Sequence, residues 1–245
     1  MGDGLASSGW PFTRSGPVEW ARDGHEGVDV SLAIKRLMDI VLSATGLVVL
    51  SPVLALIAVR VRQTMGSPVL FRQVRPGRDG RPFEVLKFRT MRDAIGPDGK
   101  ALLDRDRITS LGRTLRRTSF DELPELWNIL KGDMSLVGPR PLLMEYLELY
   151  TPIEARRHEV RPGLTGWAQV HGRRTLGMPE RLMLDVWYVD HWSLWLDIRV
   201  LAMTVKLVLS GAGVEPDVDP GRRFRTPEEA RALRGESVDV PEESS

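Results

Sequence analysis

A long hydrophobic run, IVLSATGLVVLSPVLALIAV at 40–59, carries no charged residue over its 20 positions. A helix of roughly 20 residues is long enough to cover the hydrocarbon core of a bilayer. Lys35 and Arg36 precede the run, and Arg60 and Arg62 follow it. Because basic residues are retained on the cytoplasmic side of membranes, basic flanks at both ends favour an arrangement in which both ends lie on the same side.

A proline interrupts this run at Ser51-Pro52. Proline removes a backbone donor and clashes with the preceding helical turn, and a neighbouring serine can bond to the carbonyl groups that are freed. We therefore predict a re-entrant membrane helix over residues 31–62, kinked at Ser51-Pro52, which enters the bilayer and returns by the same face. A bent transmembrane helix and a buried core helix are the alternatives.

The pattern after this segment changes to shorter elements. Two runs of β-forming residues, 69–74 and 83–91, flank the sequence RPGRDGRP, in which Gly and Pro indicate a turn. These features predict a β-hairpin. Apolar residues at helical spacing predict helices over 123–130, 142–150 and 179–187.

A second apolar stretch, WYVDHWSLWLDIRVLAMTVKLVLS, is interrupted by Asp197, Arg199 and Lys206, so that spanning a bilayer with it would be costly. One helical face of this stretch is apolar and consists of Leu194, Ile198, Leu201, Val205 and Val208. Amphipathic helices with nearby aromatic residues lie in the membrane interface. A core-facing helix fits the same pattern equally well.

The predicted fold class is α+β and mainly helical, in one membrane-associated domain. Residues 1–30 are rich in Gly, Ser and charge and are interpreted as a flexible leader. The re-entrant helix follows at 31–62, and residues 63–210 form a cytoplasmic domain with a β-hairpin, short helices and interfacial amphipathic helices. Residues 211–245 form an acidic, Pro-rich tail.

Charge is distributed unevenly along the chain, although the formal net charge is only +1. Residues 35–117 contain 17 Lys and Arg against 7 Asp and Glu, whereas residues 211–245 contain 5 against 9. The basic stretch favours an anionic partner, either a nucleic acid, a phosphorylated ligand or a membrane surface, and a solvated face is the alternative. The absence of cysteine excludes disulfides, thiolate zinc sites and a cysteine nucleophile.

Two adjacent carboxylates, Asp121 and Glu122, lie in the sequence SFDELPELW. A structural interpretation is a capping box, in which Ser119 and Glu122 cap a helix start. In a second version Asp121 is the N-cap, and Pro124 occupies the first turn, where its missing N–H is harmless. Either version is compatible with a chemical role for the two acids.

Arginines in loops surround this pair in the sequence. Arg116 lies just upstream, Arg140 stands between two prolines that restrict its backbone, and Arg173 follows two Gly-rich turns. Guanidinium groups suit bidentate contact with phosphate. Arginines that converge on carboxylates indicate phosphoryl transfer, in which a carboxylate acts as a metal ligand or as the nucleophile that forms an acyl-phosphate.

Four segments together resemble the bacterial sugar transferase family, specifically its small monotopic polyprenyl-phosphate phosphoglycosyl transferases in the catalytic-domain-only form. They are KRLMDIVLSATGLVVLSPVLALIAV, PVLFRQVRPGRDGRPFEVLKFRTM, LGRTLRRTSFDELPELWNILKGDMSLVGPRPLL and VRPGLTGWAQVHGRR with the following LDVWYVDHWSLWLDI. The resemblance extends over about residues 35–210. The family sequence NGR is HGR here, at His171, which leaves the role of His171 open.

This resemblance implies that Asp121 and Glu122 are a catalytic dyad. Asp121 would attack the β-phosphate of a UDP-sugar, release UMP and hold the phospho-sugar until a polyprenyl phosphate accepts it. Mg²⁺ would bind with Asp121 as a ligand, and Arg116, Arg140 and Arg173 would contact the substrate phosphates. Glu122 would act as a base, a second metal ligand or a positioning group.

The resemblance also implies a location and a set of partners. The protein would lie on the cytoplasmic face of the bacterial inner membrane and assemble a glycoconjugate or exopolysaccharide. Its partners would be a UDP-sugar, undecaprenyl phosphate as the polyprenyl phosphate, and membrane lipids. Nucleic acid would not be a partner, and a homodimer is compatible with the resemblance. The rival hypotheses are a membrane-anchored phosphohydrolase with aspartyl-phosphate chemistry and a non-enzymatic basic membrane adaptor.

Overall fold

Two helices meet at a sharp bend in the computed structural model, which describes residues 26–93, 95, 103–171, 176–210 and 225–235. Helix α1 (Glu26–Val49) and helix α2 (Ser51–Met65) are separated by Leu50, and their axes differ by 62°. Within the described ranges no single helix is long and apolar enough to cross a bilayer, but this bent pair is, judged by length and composition. Re-entry into a bilayer stays a prediction.

The local sequence explains the position of the bend. Leu50 has φ −87° and ψ 0°, and Pro52 lies in the first turn of α2, where a missing N–H does not remove a helical hydrogen bond. The Ser51 hydroxyl donates to the carbonyl oxygen of Val48 at 2.7 Å. Ser51-Pro52 therefore opens the second helix, and the break itself falls one residue earlier.

Polar residues on α1 fasten it to the rest of the molecule. Lys35 Nζ lies 2.6 Å from Asp197 Oδ2 and donates to the Val137 carbonyl at 3.0 Å. The Asp39 carboxylate accepts hydrogen bonds from the Ser135 hydroxyl and the Leu136 N–H. Large apolar side chains remain exposed elsewhere on the two helices, among them Val30, Leu37, Val41, Val48, Val49, Leu56 and Val59.

The predicted hairpin is confirmed. Strand β1 (Leu70–Pro76) pairs antiparallel with β2 (Pro82–Phe88), with Leu70 opposite Phe88 and Pro76 opposite Pro82. The connecting turn contains Asp79 at φ 56° and Gly80 at φ 71°. The second strand ends before the predicted boundary at residue 91.

Short helices make up most of the remaining domain, which confirms an α+β fold that is mainly helical. These helices are α3 (Asp104–Arg107), α4 (Ser110–Thr118), α5 (Glu125–Lys131), α6 (Pro152–Ala155), α7 (Trp167–His171), α8 (Met178–Asp190), α9 (Leu194–Leu209) and α10 (Pro227–Arg234). Short 3₁₀ helices occur at Phe120–Glu122, Met144–Leu149 and Arg156–His158. Strand β3 (Ser135–Val137) pairs parallel with β4 (Gly163–Thr165).

The main hydrophobic core lies between the hairpin, α5, β3 and the two long C-terminal helices. Its buried members are Val85, Leu126, Ile129, Met134, Leu136, Val137, Tyr188, Leu196 and Val200. Helix α2 packs through Ile57 and Val61 on a second cluster with Phe88 and Leu115. The bent helix pair is therefore continuous with the hairpin and with α4.

Several predicted boundaries need correction. The helix predicted at 142–150 is a 3₁₀ helix, and residues 26–30 of the predicted leader belong to α1. Part of the predicted tail is folded, because α10 buries Ala230 completely. The rest of the leader and tail calls, on residues 1–25, 211–224 and 236–245, lies outside the described residues.

The amphipathic helix α9 exposes three of the five residues of its predicted apolar face. Ile198, Val205 and Val208 are exposed, whereas Leu196 and Val200 on another face are buried. Leu194 and Leu201 of the predicted face are half-buried, and Leu201 packs against the main core, so the core-facing alternative holds for part of that face. A position in the membrane interface stays a prediction.

Candidate active site

Asp121 and Glu122 lie in a short 3₁₀ helix between α4 and α5. Helix α4 ends at Ser119, which has φ 59° and ψ 18°, and the chain then reverses into the turn. Both carboxylates point inward, and each residue is only 8% exposed. The sharp reversal after α4 is what places two acidic residues side by side in a buried position.

Both structural interpretations of these acids are wrong. Ser119 adopts a left-handed conformation rather than the extended one of an N-cap, and its side chain caps no backbone N–H. Helix α5 begins at Glu125, with Pro124 as the residue before it and no side-chain cap. The dyad is therefore not explained by helix capping.

Packing of α4 against the end of the hairpin fixes the turn. Gly112 in α4 faces the backbone of Thr90, and an added Cβ would lie 2.0 Å from the Thr90 carbonyl oxygen. The Thr109 hydroxyl caps the helix by accepting the Gly112 N–H at 2.9 Å. Only glycine permits this approach, which brings the last turn of α4 beside residues 88–91.

A cavity of about 510 Å³ opens between the hairpin, the segment 89–93 and the dyad. Basic residues outnumber acidic ones in its lining. They include Arg72, Arg75, Lys87, Arg107, Arg116 and Arg140, which join Asp121 and Glu122. The lining begins at Pro68, three residues after α2 ends, so this basic cavity adjoins the bent helix pair.

The Asp121 carboxylate lines this cavity and has a perturbed pKa. Burial, and next the charge on Glu122, raise its pKa to about 6, although Lys87 and Arg116 act in the opposite direction. No side chain in the described part of the protein donates a hydrogen bond to this carboxylate. The backbone N–H of Asp121 itself donates to it. At neutral pH Asp121 is therefore mainly ionised, and none of the described side chains competes with a ligand for its oxygens as a hydrogen-bond donor.

The Glu122 carboxylate has the opposite environment. Lys87 Nζ lies 2.8 Å from Glu122 Oε1, and Arg140 forms a two-pronged contact with both carboxylate oxygens. Burial disfavours the ionised form, but Arg140 and Lys87 outweigh it and hold the pKa of Glu122 well below its usual range. Glu122 is therefore a fixed anion.

Lys87 and Glu125 belong to the same cluster, and sequence reasoning missed both. Lys87 Nζ lies 3.5 Å from Glu125 Oε1, and Glu125 is only 2% exposed. Burial, and then the charge on Glu122, raise the pKa of Glu125 to about 8. The sequence signal that could have identified Lys87 is its position in KFRT, at the end of the second predicted strand.

The predicted phosphate-binding arginines are brought together only in part. Arg116 and Arg140 both line the cavity, and Arg116 Nε donates to the Thr90 hydroxyl at 3.0 Å. The carbonyl of Arg140 accepts a hydrogen bond from Arg157 at 2.6 Å, which holds the proline-flanked loop in place. Arg173 lies outside the described residues.

A magnesium ion can be tested against the carboxylates of this site. Both oxygens of Glu122 are engaged by cations, so Asp121 is the ligand that the dyad can offer. The described residues contain no group of three or more His, Cys, Asp or Glu arranged to hold a metal. Mg²⁺ commonly binds through one or two carboxylates together with substrate phosphates, so the site suits a metal that arrives with a phosphorylated substrate.

An ionised carboxylate that faces a basic cavity suits a phosphorylated ligand. Comparison with known proteins agrees with this class. The model of the family described as bacterial sugar transferase matches residues 30–211. The chain belongs to the bacterial sugar transferase family, and the prediction of a transferase enzyme is confirmed.

Three relatives illustrate the similarity. The chain is 50% identical over 184 residues to the uncharacterized sugar transferase EpsL of Bacillus subtilis (strain 168), with 75% of this chain and 91% of that protein covered. Identity is 44% over 186 residues to the UDP-glucose:undecaprenyl-phosphate glucose-1-phosphate transferase of Caulobacter vibrioides, with 72% and 70% covered. The Klebsiella pneumoniae protein of the same name is 42% identical over 186 residues, and the match spans only 40% of its length.

Proposed function

We propose that this protein transfers a phospho-sugar from a UDP-sugar to a polyprenyl phosphate through a covalent intermediate on Asp121. The observation that supports this most directly is the environment of Asp121, an ionised carboxylate that no side chain of the described residues holds, in a basic cavity beside an apolar helix pair. Relatives named as undecaprenyl-phosphate transferases support undecaprenyl phosphate as the acceptor class.

In the first half-reaction, an Asp121 carboxylate oxygen attacks the β-phosphorus of the UDP-sugar. The bond from this phosphorus to the bridging oxygen breaks, and UMP leaves with the bonding electron pair. In the second half-reaction, a phosphate oxygen of the polyprenyl phosphate attacks the same phosphorus. The acyl-phosphate bond breaks, which regenerates the Asp121 carboxylate and forms a polyprenyl-diphosphate-sugar.

The cationic lining supports both steps by balancing charge on phosphate oxygens. Arg116 and Arg140 lie in the lining, and their guanidinium groups suit the planar oxygen pairs of a phosphate. The family resemblance assigns Arg173 to the same task. When bound, Mg²⁺ with Asp121 as a ligand supplies further positive charge to the diphosphate.

Glu122 is best suited to positioning. Its carboxylate accepts hydrogen bonds from Lys87 and Arg140 at once, and its low pKa makes it a poor proton acceptor. The geometry therefore supports the third of the sequence-based alternatives, a positioning group, over a base or a second metal ligand.

The two substrates differ in solubility, which accounts for the position of the site. A UDP-sugar arrives from water, whereas a polyprenyl phosphate keeps its chain in the bilayer. We assign α1 and α2 to re-entrant insertion at the cytoplasmic face of the inner membrane and the exposed face of α9 to the interface. The exposed apolar residues on these helices support this assignment.

Omission of the lipid acceptor tests the scheme. Purified protein with Mg²⁺ and a panel of UDP-sugars, without lipid, is expected to release UMP in a burst of about one equivalent per active site. Addition of undecaprenyl phosphate should restore turnover. Full turnover without lipid would favour the phosphohydrolase, and no UMP from any UDP-sugar would contradict the proposed function.

A further inference from the structure

A lysine behind the dyad contacts two carboxylates. Lys87 Nζ lies 2.8 Å from Glu122 Oε1 and 3.5 Å from Glu125 Oε1. Lys87 and Glu122 line the cavity, whereas Glu125 is nearly enclosed and does not belong to the lining. Glu125 therefore does not reach the cavity, and it acts on the reaction through its charged neighbours, of which Lys87 forms an ion pair with it.

The charged neighbours of Glu125 come from three elements. Lys87 belongs to β2, Glu122 to the 3₁₀ turn, and Arg140 to the loop after β3, and these groups dominate the electrostatics of the Glu125 carboxyl group. The other elements packed on α5 supply charges that are engaged elsewhere. In α1, Arg36 donates to two carbonyls at the far end of α5, Lys35 binds Asp197, and Asp39 bonds to β3, which itself contains no charged residue.

Glu122 and Glu125 compete for the same ammonium group. A neutral Glu125 leaves the charge of Lys87 to Glu122, and an ionised Glu125 draws part of that interaction away. Burial first, and then the nearby Glu122 charge, hold Glu125 protonated at neutral pH, with a pKa of about 8. The Lys87–Glu122 contact is thus strongest while Glu125 keeps its proton.

We infer that Glu125 is a positioning residue that keeps Lys87 on Glu122 while it is neutral, and that its ionisation sets the alkaline limit of activity. The activity consequence rests on the proposed function. The structural basis is the shared lysine, which lies between one carboxylate that faces the cavity and one that is buried behind it.

The activity test compares Glu125→Gln with the parent between pH 6 and pH 9.5, with UMP release as the measurement. The variant has the shape of the neutral acid, so we expect a rate within about threefold of the parent at pH 7. Above pH 8 the parent should lose rate and the variant should keep it. Lys87→Met should lose more than tenfold at every pH. The control Glu145→Gln, at an exposed acid in the 3₁₀ helix Met144–Leu149, should change neither the rate nor its pH profile.

Two results would overturn the inference. One is an alkaline limb in Glu125→Gln that superimposes on that of the parent. The other is a loss at pH 7 as large as that of Lys87→Met, which would assign Glu125 a role that its neutral shape cannot fill.

Thermal stability gives a readout that needs no activity. Because the pKa of Glu125 is raised in the folded state, folding retains a proton that the unfolded chain has lost, and stability must fall as pH rises from about 4.5 towards 8. Asp121 contributes a similar fall only up to about pH 6. We expect the decline of Tm between pH 6 and pH 8 to be smaller in Glu125→Gln than in the parent.

The two readouts separate the two claims. A parent that releases no UMP, with the Tm difference present, would contradict the proposed function and leave the buried proton on Glu125 in place. A parent that releases UMP, with superimposed Tm profiles, would overturn the inference alone.

Discussion

Two buried clusters in this molecule contain carboxylates and cationic side chains, and they differ in how the cations are distributed among the acids. In the C-terminal cluster, Arg225 donates hydrogen bonds of 2.7 and 3.0 Å to the two oxygens of Glu154. Next to it, Arg157 donates twice to Asp185, at 3.0 and 2.7 Å. Each acid there has a guanidinium group of its own.

The dyad cluster divides its cations unequally. Glu122 takes both Lys87 and Arg140, whereas Asp121 receives no side-chain hydrogen bond from any described residue. In Glu154 the Arg225 hydrogen bonds overcome burial and lower the pKa, whereas in Asp185 burial outweighs Arg157 and raises it. The pKa of Asp121 rises to about 6 through burial and then through the charge on Glu122, so what distinguishes Asp121 is its lack of a side-chain partner among the described residues. An acid that is paired with its own guanidinium group stabilises the fold. An acid without such a partner, as at Asp121, is suited to binding a ligand.

The substitution Asp121→Asn is expected to have the largest effect, and its effects on activity and on stability distinguish the two clusters. Loss of the nucleophile should reduce UMP release by at least about 10⁴-fold. The same change should stabilise the protein at pH 7.5, by up to about 3 kcal/mol for a shift of the pKa from 3.8 to about 6. Kinetics and thermal melting on one preparation measure both effects.

Asp185→Asn is the matched control for that variant, because it makes the same substitution at a matched pair. It should destabilise the protein, since Arg157 is left buried without its counter-ion. A destabilised Asp121→Asn, or one that keeps parental activity, would contradict the distinction between the clusters.

Arginine-to-lysine substitutions test whether the cations of the dyad cluster act on the reaction and those of the C-terminal cluster act on stability. Arg140→Lys keeps the charge but loses the two-pronged geometry, and we expect UMP release to fall by about 10²-fold to 10³-fold. Arg225→Lys makes the same change in the C-terminal cluster, where it should lower Tm without a comparable loss in the rate of the folded protein. Equal kinetic losses in the two variants would indicate that Arg140 acts only on structure.

Removal of Arg225 measures how much the C-terminal cluster contributes to the free energy of unfolding. The Arg225 side chain is 10% exposed and that of Glu154 is 6% exposed, so Arg225→Ala leaves a buried carboxylate unpaired. We expect a loss of about 3 kcal/mol in the free energy of unfolding. Urea denaturation checks this value, and a loss below about 0.5 kcal/mol would show that α10 contributes little to the fold.

Acidic pH should affect the two clusters in sequence. Asp121 accepts a proton as the pH falls through about 6, so the rate of UMP release should drop about tenfold per pH unit below that value. Glu154 has a lowered folded-state pKa, so its stabilising contribution is complete above the unfolded value of 4.5 and is lost only at lower pH. Rates and circular dichroism from pH 4 to pH 8 should show activity failing before structure.

The smallest expected effect concerns the exposed face of α9. Val205→Asn with Leu209→Asn removes exposed apolar surface and should weaken binding to anionic vesicles by about tenfold. Leu233→Asn, at an exposed position on α10, is the control and should leave vesicle binding unchanged. Equal binding of all variants would refute an interfacial position for α9.

The sequence predicted those parts of the site that are local along the chain. The adjacent acids and the proline-flanked Arg140 could be recognised because their neighbours in sequence carry the signal. Lys87 could not, since its contact with Glu122 joins residues 35 positions apart and depends on the packing of α4 against the hairpin.

Local rules also misled in places. Ser119 and Glu122 have the spacing of a capping box, but Ser119 ends α4 in the left-handed conformation, and its side chain caps no helix. The acidic composition of residues 211–245 suggested a loose tail. It concealed a helix that buries Ala230 and pairs Arg225 with Glu154.

The central claim is that Asp121 carries the phospho-sugar between two substrates, and intact mass spectrometry tests it most directly. Protein incubated with Mg²⁺ and its UDP-sugar, without lipid, should gain the mass of one sugar phosphate, with the adduct mapped to Asp121. Undecaprenyl phosphate should then discharge the adduct, and Asp121→Asn should never form it. Transfer to lipid without any adduct, or an adduct that persists in Asp121→Asn, would contradict the account.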